Sequence, residues 1–86
     1  MMQAQGIPPE KYFYASDGSV IKSLQELPDA LRAMSPDTFS RHVNAEKNDF
    51  YNWTKEVFNL PRLARKIKTS KSKEAMAKKV FMELYT

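Results

Sequence analysis

A chain of 86 residues with 42% hydrophobic side chains and no Cys has room for one small domain, burying about 60–65% of the surface its unfolded form exposes, and has neither a disulfide nor a thiolate metal site. No apolar run approaches the roughly 18 residues a membrane span needs, and the opening M-M-Q-A-Q-G-I-P-P-E lacks the basic-then-apolar order of a secretion signal, so a cytoplasmic protein is expected. The net charge of +4 is uneven: residues 1–61 hold six Lys or Arg against eight Asp or Glu, net −2, whereas residues 62–86 hold eight against two, net +6, a reason to consider an anionic partner.

Residues 1–11 read as a flexible leader, because Pro8 and Pro9 discourage regular structure and few side chains there can anchor a core. The globular domain is then residues 12–86. Tyr12 to Ala15 and Val20-Ile21 favour strands, and Asp17-Gly18 between them signals a β-hairpin, since Gly accepts the positive φ of a type I′ turn. A two-residue turn would set Ala15 opposite Val20 and Tyr14 opposite Ile21. Phe13, Ala15 and Val20 would share one face, and Tyr12, Tyr14 and Ile21 the other. A lone hairpin is marginal, so it must pack on helices.

Ser23-Leu24-Gln25-Glu26 is a capping-box pattern, and Leu24, Leu27, Leu31 and Met34 follow at helical spacing with Ala30 on the same side. Pro28 predicts an irregular first turn or a kink. Ser35-Pro36-Asp37 is a restart: a cap, a proline at the first position and an acid at the positive end of the helix dipole. Phe39 and Val43 give that short helix its apolar side. After a polar loop at residues 44–48, Asn48 or Asp49 caps a helix carrying Phe50, Trp53 and Val57 on one face. Asn59-Leu60-Pro61 separates it from another, with Leu60, Leu63, Ala64 and Ile67 inward. Thr69 to Ser72 is a joint, and Met76, Ala77, Val80, Phe81 and Leu84 make a last amphipathic helix. The expected fold is mainly α within the α+β class: an N-terminal β-hairpin on a compact bundle of about five short helices. Its core should draw on Phe13, Leu24, Leu27, Leu31, Phe39, Val43, Phe50, Trp53, Val57, Leu63, Ile67, Val80 and Phe81.

The stretch Phe39 to Trp53 concentrates chemistry. It holds the only His, the only Trp and two of the five Phe, with Asn44, Asn48, Asn52 and Asp49 between apolar anchors. Together, Phe13, Asp17-Gly18, Leu24 to Leu27, Leu31, Phe39-Ser40-Arg41-His42-Val43-Asn44, Asn48-Asp49-Phe50, Trp53 and Leu63-Ala64 resemble the pattern of a small prokaryotic, mainly archaeal, domain family of unknown function. The resemblance spans about 50 of the 86 residues. It implies a compact domain and no particular activity. Pro28, Thr54 and Pro61-Arg62 depart from the pattern, and the basic tail stands apart from it.

As a functional residue, His42 would be a general base oriented by Asp49 or Glu46. As a structural one, its ring would bond a backbone carbonyl near Asn44 or cap a helix end. With no second His and no nucleophile signature, the structural role is favoured and no enzyme is expected. Asn44, Asn48, Asp49 and Asn52 could hold a ligand, but their spacing matches no calcium loop, and such residues ordinarily cap helices and tighten turns. Trp53 reads as core. No metal or cofactor is expected.

The basic tail is the strongest functional hint. The helices flanking Asn59-Leu60-Pro61 outline a helix-turn-helix whose second member presents Arg62, Arg65, Lys66 and Lys68, with Lys71 and Lys73 following. No Asn or Gln occurs after Asn59, so nucleic-acid contact would run through phosphates, weakly specific and salt-sensitive. The alternatives are a solvated lysine face or a protein-interaction module, presenting the Tyr12/Tyr14 face or a soft patch of Met76, Met82 and Tyr85. The expectation is a monomeric, non-catalytic binding module with a protein partner, and nucleic acid as the alternative.

Overall fold

The computed structural model describes residues 7–85. In chain order it contains a 3-10 turn (Pro9–Lys11), strands β1 (Phe13–Tyr14) and β2 (Val20–Ile21), a second 3-10 turn (Leu24–Glu26) and five α-helices. The helices are α1 (Leu27–Ala33), α2 (Pro36–His42), α3 (Asp49–Glu56), α4 (Pro61–Lys68) and α5 (Lys73–Tyr85). The chain is therefore a mainly helical globule with an N-terminal antiparallel hairpin.

The helix starts follow the side chains that cap them. Ser23 accepts a hydrogen bond from the Glu26 N–H, Ser35 from Thr38 and Asn48 from Tyr51. Each cap satisfies a donor that the helix cannot. The Glu26 carboxylate reaches back to the Lys22 N–H at 2.9 Å, one residue earlier than in a standard capping box. Pro28 has the predicted effect: a 3-10 turn precedes α1.

The hairpin corrects the expected register. Phe13 lies opposite Ile21 and Tyr14 opposite Val20, one residue out of step with a two-residue turn. The Gly18 N–H donates to the Ala15 carbonyl at 3.0 Å and the Ala15 N–H to the Ser19 carbonyl at 2.9 Å. Gly18 has φ +93°. These features define a three-residue loop, a type I turn closed by a glycine bulge. The Asp17 carboxylate accepts the Ser19 N–H at 2.8 Å and the Ser19 hydroxyl as well, which holds the loop at that length. A one-residue slip exchanges the faces of the paired strand. Phe13, Ala15 and Ile21 are accordingly buried together, and Tyr14 and Val20 are exposed.

Residues 1–6 of the expected leader lie outside the described residues. From Ile7 onward the chain belongs to the domain. Ile7 packs against the core, Trp53 Nε1 donates to the Lys11 carbonyl at 2.8 Å and the Tyr14 hydroxyl donates to the Pro9 carbonyl at 2.6 Å.

The core is centred on Phe50, which is fully buried. Phe13 stacks on it with centroids 4.5 Å apart, Phe39 lies 6.2 Å away, and Trp53 meets Phe13 edge-on at 5.6 Å. Helix α5 crosses α1 and α4, and α4 packs on α3. On α5 the inward stripe is Met76, Ala77 and Val80, with Leu84 partly buried. Phe81, expected in the core, is 46% exposed, because it lies about 100° around the helix from Val80. Met76, expected in a surface patch, is fully buried in its place. Ala15, Ile21, Met34 and Ala64 are also buried. Val57 packs only partly against the core.

Truncating Phe50 to Ala should therefore remove about 3–5 kcal/mol of stability. Phe81→Ala should change it by only about 0.5 kcal/mol, as for an exposed site. Urea denaturation of the two variants measures both.

Candidate functional site

His42 ends α2 and points toward the hairpin turn and the start of α3. Its Nδ1 is 2.9 Å from Asp49 Oδ2, and its Nε2 accepts the Ser16 N–H at 3.0 Å. A nitrogen that accepts cannot carry a proton, so the neutral ring holds its proton on Nδ1 and donates it to Asp49. Phe13 meets the ring edge-on at 5.0 Å and Phe50 lies at 5.8 Å. Both nitrogens are thus engaged, and the lone pair a general base would need is already used. Of the two carboxylates considered, Asp49 and not Glu46 holds the ring, and the Ser16 N–H stands in place of the expected carbonyl near Asn44. Ser16 takes part through its backbone N–H, which no side-chain pattern could reveal.

Asn48 joins two helices. Its Oδ1 caps α3 through the Tyr51 N–H at 3.0 Å. Its Nδ2 reaches the carbonyls of Ile67 and Lys68 at 3.0 and 3.2 Å, at the C-terminal end of α4. Asn44 is committed in the same way. Its Oδ1 accepts the Glu46 N–H at 3.0 Å, its Nδ2 donates to the Ser40 carbonyl at 3.1 Å, and its own N–H donates to the Lys47 carbonyl at 2.9 Å. Asp49 also takes Lys47 Nζ at 3.0 Å. Asn52 lies apart, exposed on α3. Trp53 is buried in the aromatic core. Among the described residues, no three His, Asp or Glu side chains gather as a metal would need.

The basic residues do not form one stripe. Arg62 and Arg65 lie on the exposed side of α4, opposite its buried Leu63, Ala64 and Ile67. Lys66 leans to α5 and pairs with Glu83 at 2.9 Å. Lys68 leans to α3, its ammonium 5.4 Å from the centre of the Tyr51 ring, over which Lys55 also sits at 5.6 Å. Lys73 turns to α1, donating to the Arg32 carbonyl at 2.9 Å and pairing with Glu74 at 3.2 Å. Lys79 caps the end of α4, bonding the Lys66 carbonyl at 3.2 Å and Ser70 Oγ at 2.9 Å. Cations at helix C-termini offset the orphan carbonyls there.

Three carboxyls are held below their ordinary values. For Glu83 the cause is chiefly the hydrogen bond from Lys66, with Arg62 adding to it. For Glu74 it is its own backbone N–H and then Lys73. For Asp17 it is the Ser19 hydroxyl and N–H.

Lys71 projects between two open clefts. One, of about 250 Å³, is walled by the 44–48 loop, Tyr51, Lys68, Ser70 and Lys71. The other, of about 270 Å³, lies over Pro36, Phe39 and Val43 and is bounded by Lys71, Ser72 and Lys73. Val43 and Lys71 line both. The structure therefore brings Lys68 and Lys71 to the same cleft as Asn44 and Asn48, two regions far apart in sequence. Tyr51 and Ser70, which carry no motif, complete it. A Tyr four residues before Lys55 was the one readable sign of the cation pair on that ring.

Comparison with known protein families, curated proteins and solved structures finds no match. The resemblance noted above rests on the residues quoted for it.

His42→Gln should lower stability by about 1–3 kcal/mol, and Asn48→Ala by a similar amount, since each leaves buried or helix-end groups unpaired. Neither removes a charge that an anion would meet, so any loss of anion affinity should stay small beside that of Lys68→Gln with Lys71→Gln. Thermal melts and anion titrations of both variants check this. Glu83 supplies a pH test. A depressed folded value means the Lys66–Glu83 pair contributes fully above the ordinary 4.5 and is lost as pH falls through the lowered folded value. The melting-temperature gap between the native chain and Glu83→Gln should be flat near neutrality and close below that point. A gap that widens on acidification contradicts the assignment.

Proposed function

We propose that this chain is a non-catalytic binding module that takes an acidic segment of a partner protein on the basic side of α4 and the α4–α5 joint. The observation that carries the reading is the placement of Arg65, Lys68 and Lys71. None has a carboxylate partner among the described residues, and Lys68 and Lys71 wall an open cleft. Unpaired cations on a rigid surface favour an anionic ligand and speed its capture. The occupied nitrogens of His42 support a scaffold role for the one His and count against a hydrolytic centre built on it. Exposed Phe81 and Tyr85, 4.8 Å apart with Arg32 above Phe81, add the aromatic and Arg character common at protein interfaces. A cytoplasmic, monomeric setting is part of the proposal and rests on composition. Among the described residues, no helix is long and apolar enough to cross a membrane.

The outward placement of Arg62 and Arg65 favours one other reading, phosphate contacts to nucleic acid. Lys66 and Lys73, which a phosphate-tracking row would need, are tied to Glu83 and Glu74, so protein is the preferred partner. An amide NMR titration separates the two. The probes are a Glu/Asp-rich peptide, a short DNA duplex and an RNA strand, each at low and near-physiological salt. The peptide should shift residues 62–71 at both salts, and Arg65→Ala with Lys71→Ala, neither in an ion pair among the described residues, should weaken it several-fold without changing the melting temperature. No shift with the peptide at either salt overturns the proposal. Shifts with DNA or RNA alone, collapsing with salt, transfer the surface to nucleic acid.

A further inference from the structure

We infer that the cleft between the 44–48 loop and the α4–α5 joint is a phosphomonoester site that receives a phosphorylated side chain of the partner; this rests on the binding role proposed above. Size is the first argument. At about 250 Å³ the cleft falls short of the roughly 300 Å³ at which drug-sized ligand sites begin, so it suits a compact group.

Charge is the second. Lys47, Lys68 and Lys71 line the cleft with Glu46. Lys55 reaches the same Tyr51 ring from outside it, and Asp49 holds Lys47. Lys79 reaches the lining Ser70 in the same way, so five ammoniums against two carboxylates leave an excess of three positive charges. A carboxylate would neutralise one of them. A phosphomonoester, carrying about −1.5 to −2 at neutral pH, offsets up to twice as much.

The neutral groups agree. Ser70 lines the cleft and its oxygen accepts from Lys79, so the hydroxyl and a further ammonium meet at the wall. Tyr51, a second hydroxyl-bearing residue, lines the cleft as well. With Lys68 and Lys71 as point charges, the cleft offers both ionic and neutral donors, and phosphate oxygens accept from each. Its walls are set in advance: Asn44 braces the loop, and Asn48 fixes the start of α3 against the end of α4. Preorganisation of this kind reduces the ordering cost of capture. Beyond Lys71, the second cleft over Pro36, Phe39 and Val43 would accept an apolar residue next to the phosphorylated one.

The test uses fluorescence anisotropy with three labelled peptides identical except at one position: phosphoserine followed by Leu, Ser followed by Leu, and Glu followed by Leu. Inorganic phosphate is titrated separately by amide NMR. The phosphopeptide should bind at least about tenfold tighter than the other two. Lys68→Gln with Lys71→Gln should abolish that preference at unchanged melting temperature, while Arg65→Ala should keep it. Inorganic phosphate should shift residues 44–48, 51 and 68–71. Equal binding of the phosphoserine and Glu peptides, with the Ser peptide weaker, overturns the phosphate site and leaves the acidic-partner reading standing, whereas equal binding of all three overturns both. Binding of none overturns both. A short oligonucleotide that outcompetes the phosphopeptide at the same lysines would also overturn it, assigning the cleft to nucleic-acid phosphate.

Discussion

Helix ends are the constraint this structure has to meet. Each α-helix leaves four N–H and four C=O groups without an internal partner, and five short helices in a small chain expose many such groups close to the core. Adjacent residues at the start of α3 answer much of this demand. Asn48 caps α3 with its oxygen and the end of α4 with its nitrogen. Asp49 takes the His42 ring at the end of α2, and the same ring takes the Ser16 N–H of the hairpin turn. Three side chains, Asn48, Asp49 and His42, thus connect the hairpin, α2, α3 and α4. The aromatic core closes underneath them, with Phe13 and Phe50 against the His42 ring.

Much of this was legible before the structure. Ser23, Ser35 and Asn48 announced their helices because N-capping is local chemistry between a side chain and an N–H three residues on. Pro28 marked its irregular turn for the same reason. The errors fall where local rules give two answers. Asp17-Gly18 fits a two-residue turn or a three-residue loop with a glycine bulge, and the hydrogen bonds of Asp17 to Ser19 favour the second. Phe81 and Met76 both belong to an amphipathic helix, and only the position of α1 and α4 decides which turns inward. The long-range partners of His42 and Asn48 are backbone groups, which leave no trace in residue identity.

The charged tail shows how a sequence count can overstate a surface. Eight basic residues after position 61 suggest a single cationic stripe. In the fold, Lys66, Lys73 and Lys79 turn to three different partners and serve the ends and flanks of helices. Of the rest, Lys68 and Lys71 reach the cleft where the α4–α5 joint meets the 44–48 loop, while Arg62 and Arg65 face outward on α4. A scaffold role for His42 and a binding role for that cleft are therefore two sides of one arrangement: the loop that His42 and Asn48 hold in place is one wall of the cleft.

The most direct measurement is a long-range proton–nitrogen NMR spectrum of the His42 ring, recorded at a pH where the ring is neutral, with hydrogen exchange of the Ser16 amide. A single Nδ1–H tautomer and a protected Ser16 amide are predicted, because Nε2 accepts that N–H. An Nε2–H tautomer with a freely exchanging Ser16 amide would contradict the account. It would release His42 from the scaffold and return the lone pair that a catalytic base requires.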